Sequence, residues 1–441
     1  MKRVWIFCLL ALMALTACGR REAAPQDAPA VTLRVVTSFG GEDGNRKNYE
    51  AAVAAYEAET GYMVEDVSAV SNEEWKARVL ADFETGSEPD VLFFFANADA
   101  EPFIRADRVV PVEEIRRDYP DYAGNMAGSM LPPASNGLHY AVPVLGYWEY
   151  LYVNKAVLAD CGVALLWPDY RWEQFLEDCE AIREKGYTPI ACSLAEVSHY
   201  WFEFAVLNNG SPATHLIPPV LDDGGRLVAD EATGAWLAGL GDIKDLYERG
   251  YFSEDTLTAG DTETTALFGE GGAAFLLDGS WKAGYFTEHY PERLEELTVC
   301  CVPAKGTRRA TDTIGGISTG FFITRRAWND PEKREAAVSF VSRLTSDEVV
   351  AAFATTELTA LKNSPPRGEL DPLRQSAADA LEGATSLTGA VQDRISSEAR
   401  SCLFSNIQNV VTGKMTAQEA VTAAMARNGS REGGQLCTAW F

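Results

Sequence analysis

Stretches that read as β-strands alternate with stretches that read as helices along nearly all of the 441-residue chain, and this order limits the possible folds more than any other feature. Val31–Thr37 (VTLRVVT) is β-branched and strand-like. Asn48–Thr60 is helical in pattern, with Gly61 placed to end it. Ser71 opens a second helix, with Glu74 three residues on as a capping box, and Gly86 closes it. Asp90–Phe95 (DVLFFF) is apolar on both faces, which suits a strand buried between two helix layers. Further on, Trp172, Phe175, Leu176, Cys179 and Ile182 recur at helical spacing before Gly186, and TPIACS at 188–193 follows as a strand. Asp330-Pro331 supplies an N-cap and a proline at the first helical position, leading a helix through Ala337, Phe340, Val341 and Leu344. The alternation predicts an α/β architecture with largely parallel sheets. The length predicts two domains, because one hydrophobic core stops growing well below this size.

The N-terminus reads as an address. Lys2 and Arg3 precede an apolar run, Val4–Ala17. That run is shorter than the about 20 residues a membrane span needs, and it matches the about 7–15 of a secretory leader. Leu15-Thr16-Ala17-Cys18 resembles the bacterial lipobox, in which cleavage leaves the cysteine N-terminal and lipidated. Residues 1–17 are therefore expected to be a signal peptide and 18–30 a lipidated tether, small and Pro-containing from Glu22 to Ala30. The rest is expected to be exported and held on the outer side of the cell membrane through Cys18.

The net charge of −26 repels nucleic acid phosphate and anionic head groups, so neither is expected as a partner. Beyond Cys18 stand Cys161, Cys179, Cys192, Cys300, Cys301, Cys402 and Cys437, an odd set with no CxxC pair, whose pairing stays open. Histidines at 139, 199, 215 and 289 have no metal-ligand spacing. Gly269–Ala274 matches GxGxxA, but a helix-like segment precedes it and a strand follows, the reverse of a dinucleotide site. No cofactor, metal or catalytic residue is expected. Carboxylates are too many to single out a hydrolytic pair.

Aromatic residues beside strand ends are the informative feature. AFLLDGSWKAGYF runs an apolar strand to Asp278, turns at Gly279 and sets Trp281 at the edge where open α/β sheets bind ligands. Tyr147, Trp148 and Glu149 follow Pro143 in YAVPVLGYWEYLYVNK, and Trp201 sits in SHYWFEF. Flat rings cover the C–H faces of sugars while carboxylates and amides accept hydroxyl protons. Each ring could equally be ordinary core.

Four stretches, EPDVLFFFANAD at 88–99, YAVPVLGYWEYLYVNKAVLADCGV at 140–163, LFGEGGAAFLLDGSW at 267–281 and GGISTGFFITRRAWNDPEKREAAVSFVSRLTS at 315–346, occur in an order and spacing that resembles the carbohydrate-binding family of bacterial ABC-importer solute-binding proteins, which includes maltose-binding protein. The resemblance covers essentially the whole mature chain. It implies a two-lobed periplasmic-binding-protein-like α/β fold (type II), lobes of 31–142 plus 308–352 and 143–307 plus 353–441, joined by hinge strands and closing on a carbohydrate. It implies a monomer that delivers ligand to permease subunits and has no catalysis of its own. It points to Trp281 stacking on sugar, to Tyr147 four residues after the proline, to Ser38 and Phe39 after the first strand, and to Asn97 or Asp99 after the third. Trp148, Glu149, Trp201, Asp278 and Gly316 complete the candidate set. The chain departs from the family at Val153, where Tyr is common, at Tyr147, where a carboxylate is common, and in its cysteines. An exported glycan hydrolase and a same-fold binder of another solute such as a polyamine are the alternatives.

Overall fold

Strand β3 (Val91–Phe95) shows why the chain layers as it does. In a computed structural model describing residues 31–41, 43–355, 357–363 and 368–428, its side chains alternate between two separate cores. Val91 and Phe93 face a core with Tyr56, Phe340 and Val341, while Leu92 and Phe94 face one with Trp75, Val79 and Phe103. A strand covered on both sides must be apolar throughout, as DVLFFF is. Helices Arg46–Thr60 and Pro331–Leu344 supply the first cover and helix Glu73–Thr85 the second. Asp330 caps its helix as expected, accepting from the Glu332 and Lys333 amides. At 73–85 the cap is Asn72 rather than Ser71, its side chain accepting from the Trp75 amide at 2.8 Å.

The first sheet has the order β2 (Met63–Asp66), β1 (Thr32–Val36), β3, β9 (Thr319–Ile323). The second runs β10 (Ser386–Thr388), β8 (Asp312–Gly316), β4 (Tyr147–Asn154), β6 (Ala273–Gly279), β5 (Thr188–Ala191), with β7 (Leu297–Cys300) also on β4. The sheets are mixed rather than largely parallel. β4 is antiparallel to β6, β7 and β8, and β9 is antiparallel to β3. From β8 to β9 the chain passes directly from one sheet to the other, without the helical crossover that parallel neighbours require. Both faces of the second sheet are also covered, one by Phe175, Ile182 and Trp236, the other by Phe268, Phe286 and Leu373.

The lobes join where three crossings meet. Val142 bridges Phe321, and Tyr147 pairs with Gly316, so the segments 142–147 and 316–321 cross side by side. The Gly146 amide donates to the Leu358 carbonyl at 2.7 Å on the third crossing. A Cβ at Gly146 would stand 2.6 Å from the Gly316 oxygen, so only glycine fits there. Two expected boundaries shift. β8 pairs in the second sheet, so the chain re-enters the first at β9 rather than at 308. Phe353, Ala354, Ala360 and Leu361 still pack on the first core. The lipobox with Cys18, and Cys437, lie outside the described residues. The six described cysteines beyond the tether are free thiols.

Candidate functional site

Strand ends and two helices converge on the seam between the lobes. β4 and β6 pair antiparallel with Glu149 opposite Gly279, so the start of one strand and the end of the other share an edge. That edge carries Tyr147, Glu149, Asp278 and Trp281. Helix His199–Asn209 adds Tyr200 and Glu203, and the turn Val391–Arg394 adds Asp393. From the first lobe, the loop after β3 brings Asn97 and Asp99. Asn97 Nδ2 donates to Asp393 Oδ1 at 2.6 Å. On helix Ser397–Val411, Arg400 Nη2 donates to both Asp99 oxygens at 2.9 Å, with each side chain 1% exposed. The seam is therefore closed by polar pairs, of which Asp99–Arg400 is out of reach of water.

The seam is acidic. Burial holds the Glu149 carboxyl well above the usual range, and the neighbouring Glu203, Asp278 and Asp393 push it the same way. Burial lifts Glu203 to about 8. It lifts Asp278 to about 7 against the pull of Lys282, whose Nζ lies 3.7 Å from Asp278 Oδ2 and 2.7 Å from Asp261 Oδ2. Asp393 is raised by burial, with Arg400 opposing. Several acceptors are buried with no hydrogen-bond partner at normal geometry: Glu149 Oε2, both Glu203 oxygens and Asp278 Oδ2. Orphaned acceptors cost about 1–3 kcal/mol each, so a set of them at a seam between two bodies is what a donor-rich ligand would repay.

An open cleft of about 600 Å³ adjoins this cluster, within the size range of small-molecule sites. Asn45, Lys47 and Asn48 line it from the first lobe, and Trp281, Glu288 and Arg374 from the second. Lys47 Nζ bonds Glu288 Oε1 across its mouth at 2.5 Å. Trp281 starts helix Trp281–His289 and folds its ring back over Gly279, where a Cβ would stand 2.1 Å from the ring. Its centroid is 6.2 Å from that of Tyr200, so the ring that lines the open cleft also touches the edge of the acidic cluster.

Among the residues singled out in the sequence, Asn97, Asp99, Tyr147, Glu149, Asp278 and Trp281 come together here. Ser38 is half-buried in the turn after β1, and Gly316 sits in the hinge against Tyr147. Three aromatics are packed in cores instead. Phe39 meets Phe93 at 4.6 Å and Phe353 at 5.1 Å. Trp148 packs with Tyr150 on the opposite face of β4, and Trp201 meets Phe175 at 5.8 Å. Tyr200, Glu203, Asp393 and Arg400 were not singled out. A carboxylate inside the otherwise apolar HYWFEFAVL was the available signal for Glu203. Among the described residues no cluster of His, Cys, Asp and Glu is arranged to hold a metal ion, and no helix is long and apolar enough to cross a membrane.

Two α/β lobes of the type II arrangement, hinged by three crossings around a polar cleft, define a protein built to capture a ligand between them. The chain belongs to the bacterial extracellular solute-binding protein family, whose model matches residues 42–351. It is similar to a maltooligosaccharide ABC transporter solute-binding lipoprotein of Streptococcus pneumoniae, 24% identical over 430 residues that cover 94% of this chain and 93% of that one. In fold it is similar to a chitin oligosaccharide binding protein, at a TM-score of 0.79 and 20% identity over 91% of this chain and 98% of that one. It also resembles a maltose-bound binding protein of T. maritima, at a TM-score of 0.70 and 19% identity over 90% of this chain and 99% of that one.

Proposed function

We propose that this protein is the substrate-binding lipoprotein of a carbohydrate ABC importer. It is anchored by lipid at Cys18 on the outer side of the cell membrane, works as a monomer, and hands a mono- or oligosaccharide to permease subunits. The observation that carries the reading is the seam. Trp281 presents a flat ring near a set of buried carboxyls, Glu149, Glu203 and Asp278, whose oxygens are not all matched by donors within the protein. A sugar has both an apolar face for the ring and hydroxyl protons for the acceptors. Contacts from the first lobe reach the same seam through Asn97 and Asp99. Enclosure by both lobes makes affinity depend on closure, which is the state a permease can read. The names of the relatives, for maltooligosaccharide, chitin oligosaccharide and maltose, support the same class.

The test is a thermal-shift screen over mono- and oligosaccharides, followed by solution scattering and chemical analysis of recovered ligand. A sugar at 100 times its dissociation constant should stabilise the protein by about 2.7 kcal/mol. It should reduce the radius of gyration and come back unaltered. Cleaved sugar in the recovered sample would replace the carrier with a hydrolase. Cys18→Ser should release the protein from the membrane fraction without changing its melting temperature.

A further inference from the structure

The two acids at the floor of the seam carry the argument beyond carbohydrate in general. Glu203 is wholly buried and Glu149 is 2% exposed, and their carboxyls adjoin. The two carboxyls share a proton between them and Gln392 approaches Glu203, but no other well-aligned donor reaches the Glu203 oxygens or Glu149 Oε2. The groups that face the pair are Tyr147 from β4, Asp278 from β6, Tyr200 from the same helix as Glu203, and Gln392 and Asp393 from the turn beside it. None is a cation. The cations beside the neighbouring acids are already engaged: Lys282 by Asp261 and Asp278, Arg400 by Asp99, and Lys76 near Asp99 at 3.9 Å. Among the described residues, no salt bridge reaches Glu149 or Glu203.

Two adjoining carboxyls in a dry seam cannot both stay ionised without a positive partner. A neutral sugar supplies hydroxyl donors but no charge, and amide side chains would serve it as well without that cost. An ammonium supplies three donors and the missing charge together. We propose that the cleft takes a carbohydrate bearing a free amino group, whose ammonium seats between Glu149 and Glu203. The proposal rests on the carbohydrate reading above and narrows it. The proton that the pair holds when unliganded leaves to solvent as the ammonium takes its place.

The experiment is calorimetric titration of the folded protein at mildly acidic pH, where a sugar amine is protonated. The probes are short glucosamine oligosaccharides, their N-acetylated counterparts and maltooligosaccharides, each in two buffers of different ionisation enthalpy. The glucosamine oligosaccharides should bind at least about tenfold more tightly than the acetylated ones, a tenfold step being one decade in affinity. Their binding should release protons to the buffer, and that of the others should not. Glu203→Gln should abolish the preference. Glu149→Gln does the same if the first variant fails to fold, and proton release in the unmodified protein is independent of both. Acetylated or neutral sugars binding as tightly, with no proton release, would overturn the amine and leave the carbohydrate reading standing. No binding of any sugar by folded protein would overturn both.

Discussion

Asp99→Ala offers a direct test of whether the Asp99–Arg400 pair belongs to a seam or to a core. Both side chains are 1% exposed and the nitrogen lies 2.9 Å from the carboxylate. Removing one member of such a pair from a fixed interior costs about 3–5 kcal/mol, because the other charge is left dry. On the scale of a 150–250-residue domain that would lower the melting temperature by roughly 6–20 °C. A seam behaves differently. If the lobes part, Arg400 regains water, so the loss is capped by the free energy of opening. The other bridges across the seam are weak restraints. Lys47 and Glu288 are 77% and 42% exposed, and such a pair is worth about 0–1 kcal/mol. The expected result is therefore a larger radius of gyration in scattering, with a melting temperature lowered by much less than the interior value. Asp99→Leu combined with Arg400→Leu removes both members of the pair and should restore the compact form. A single variant as compact as the parent, melting the full interval lower, would show that the pair is core and that the lobes do not part there.

Other perturbations follow from the same geometry. Burial raises Glu203 from 4.5 to about 8 and Asp278 from 3.8 to about 7, so the folded protein holds protons that the unfolded chain releases. Stability without ligand should be full below those ordinary values and fall as pH rises toward 8, by up to about 1.4 kcal/mol per pH unit for each proton. Glu203→Gln should lessen the slope, with Glu149 and Asp278 still contributing, measured by urea unfolding from pH 7 upward. That range avoids His215, which burial holds down at about 4 and which costs stability only as pH falls below 6.5. Trp281→Ala should weaken sugar binding by roughly 30- to 150-fold, the worth of about 2–3 kcal/mol of stacked area, while the melting temperature moves little; normal affinity with a collapsed melting temperature would make the ring structural. Gly146→Ala should destabilise by about 1–3 kcal/mol through overpacking at the hinge, read by thermal unfolding; an unchanged protein would mean that the crossings can spread.

How much of this was legible depended on whether a signal was local. The double burial of β3 was written in DVLFFF, and the edge position of Trp281 in a strand followed by Gly-Ser. Strand direction was not, because it depends on where the chain crosses between the lobes and on pairings far apart in sequence, and no short window records either. Nor were Asp393 and Arg400, whose roles depend on partners about 300 residues away, Asn97 at a separation of 296 and Asp99 at 301. Trp148 is the instructive case, since the signal was present. In Tyr147–Asn154 side chains alternate with period two. Trp148, Tyr150 and Tyr152 must therefore share one face, and Tyr147, Glu149 and Leu151 the other. The first set fills the core with Phe286 and Leu373. Tyr147 and Glu149 lie on the other face, so the pleat keeps the Trp148 ring from them.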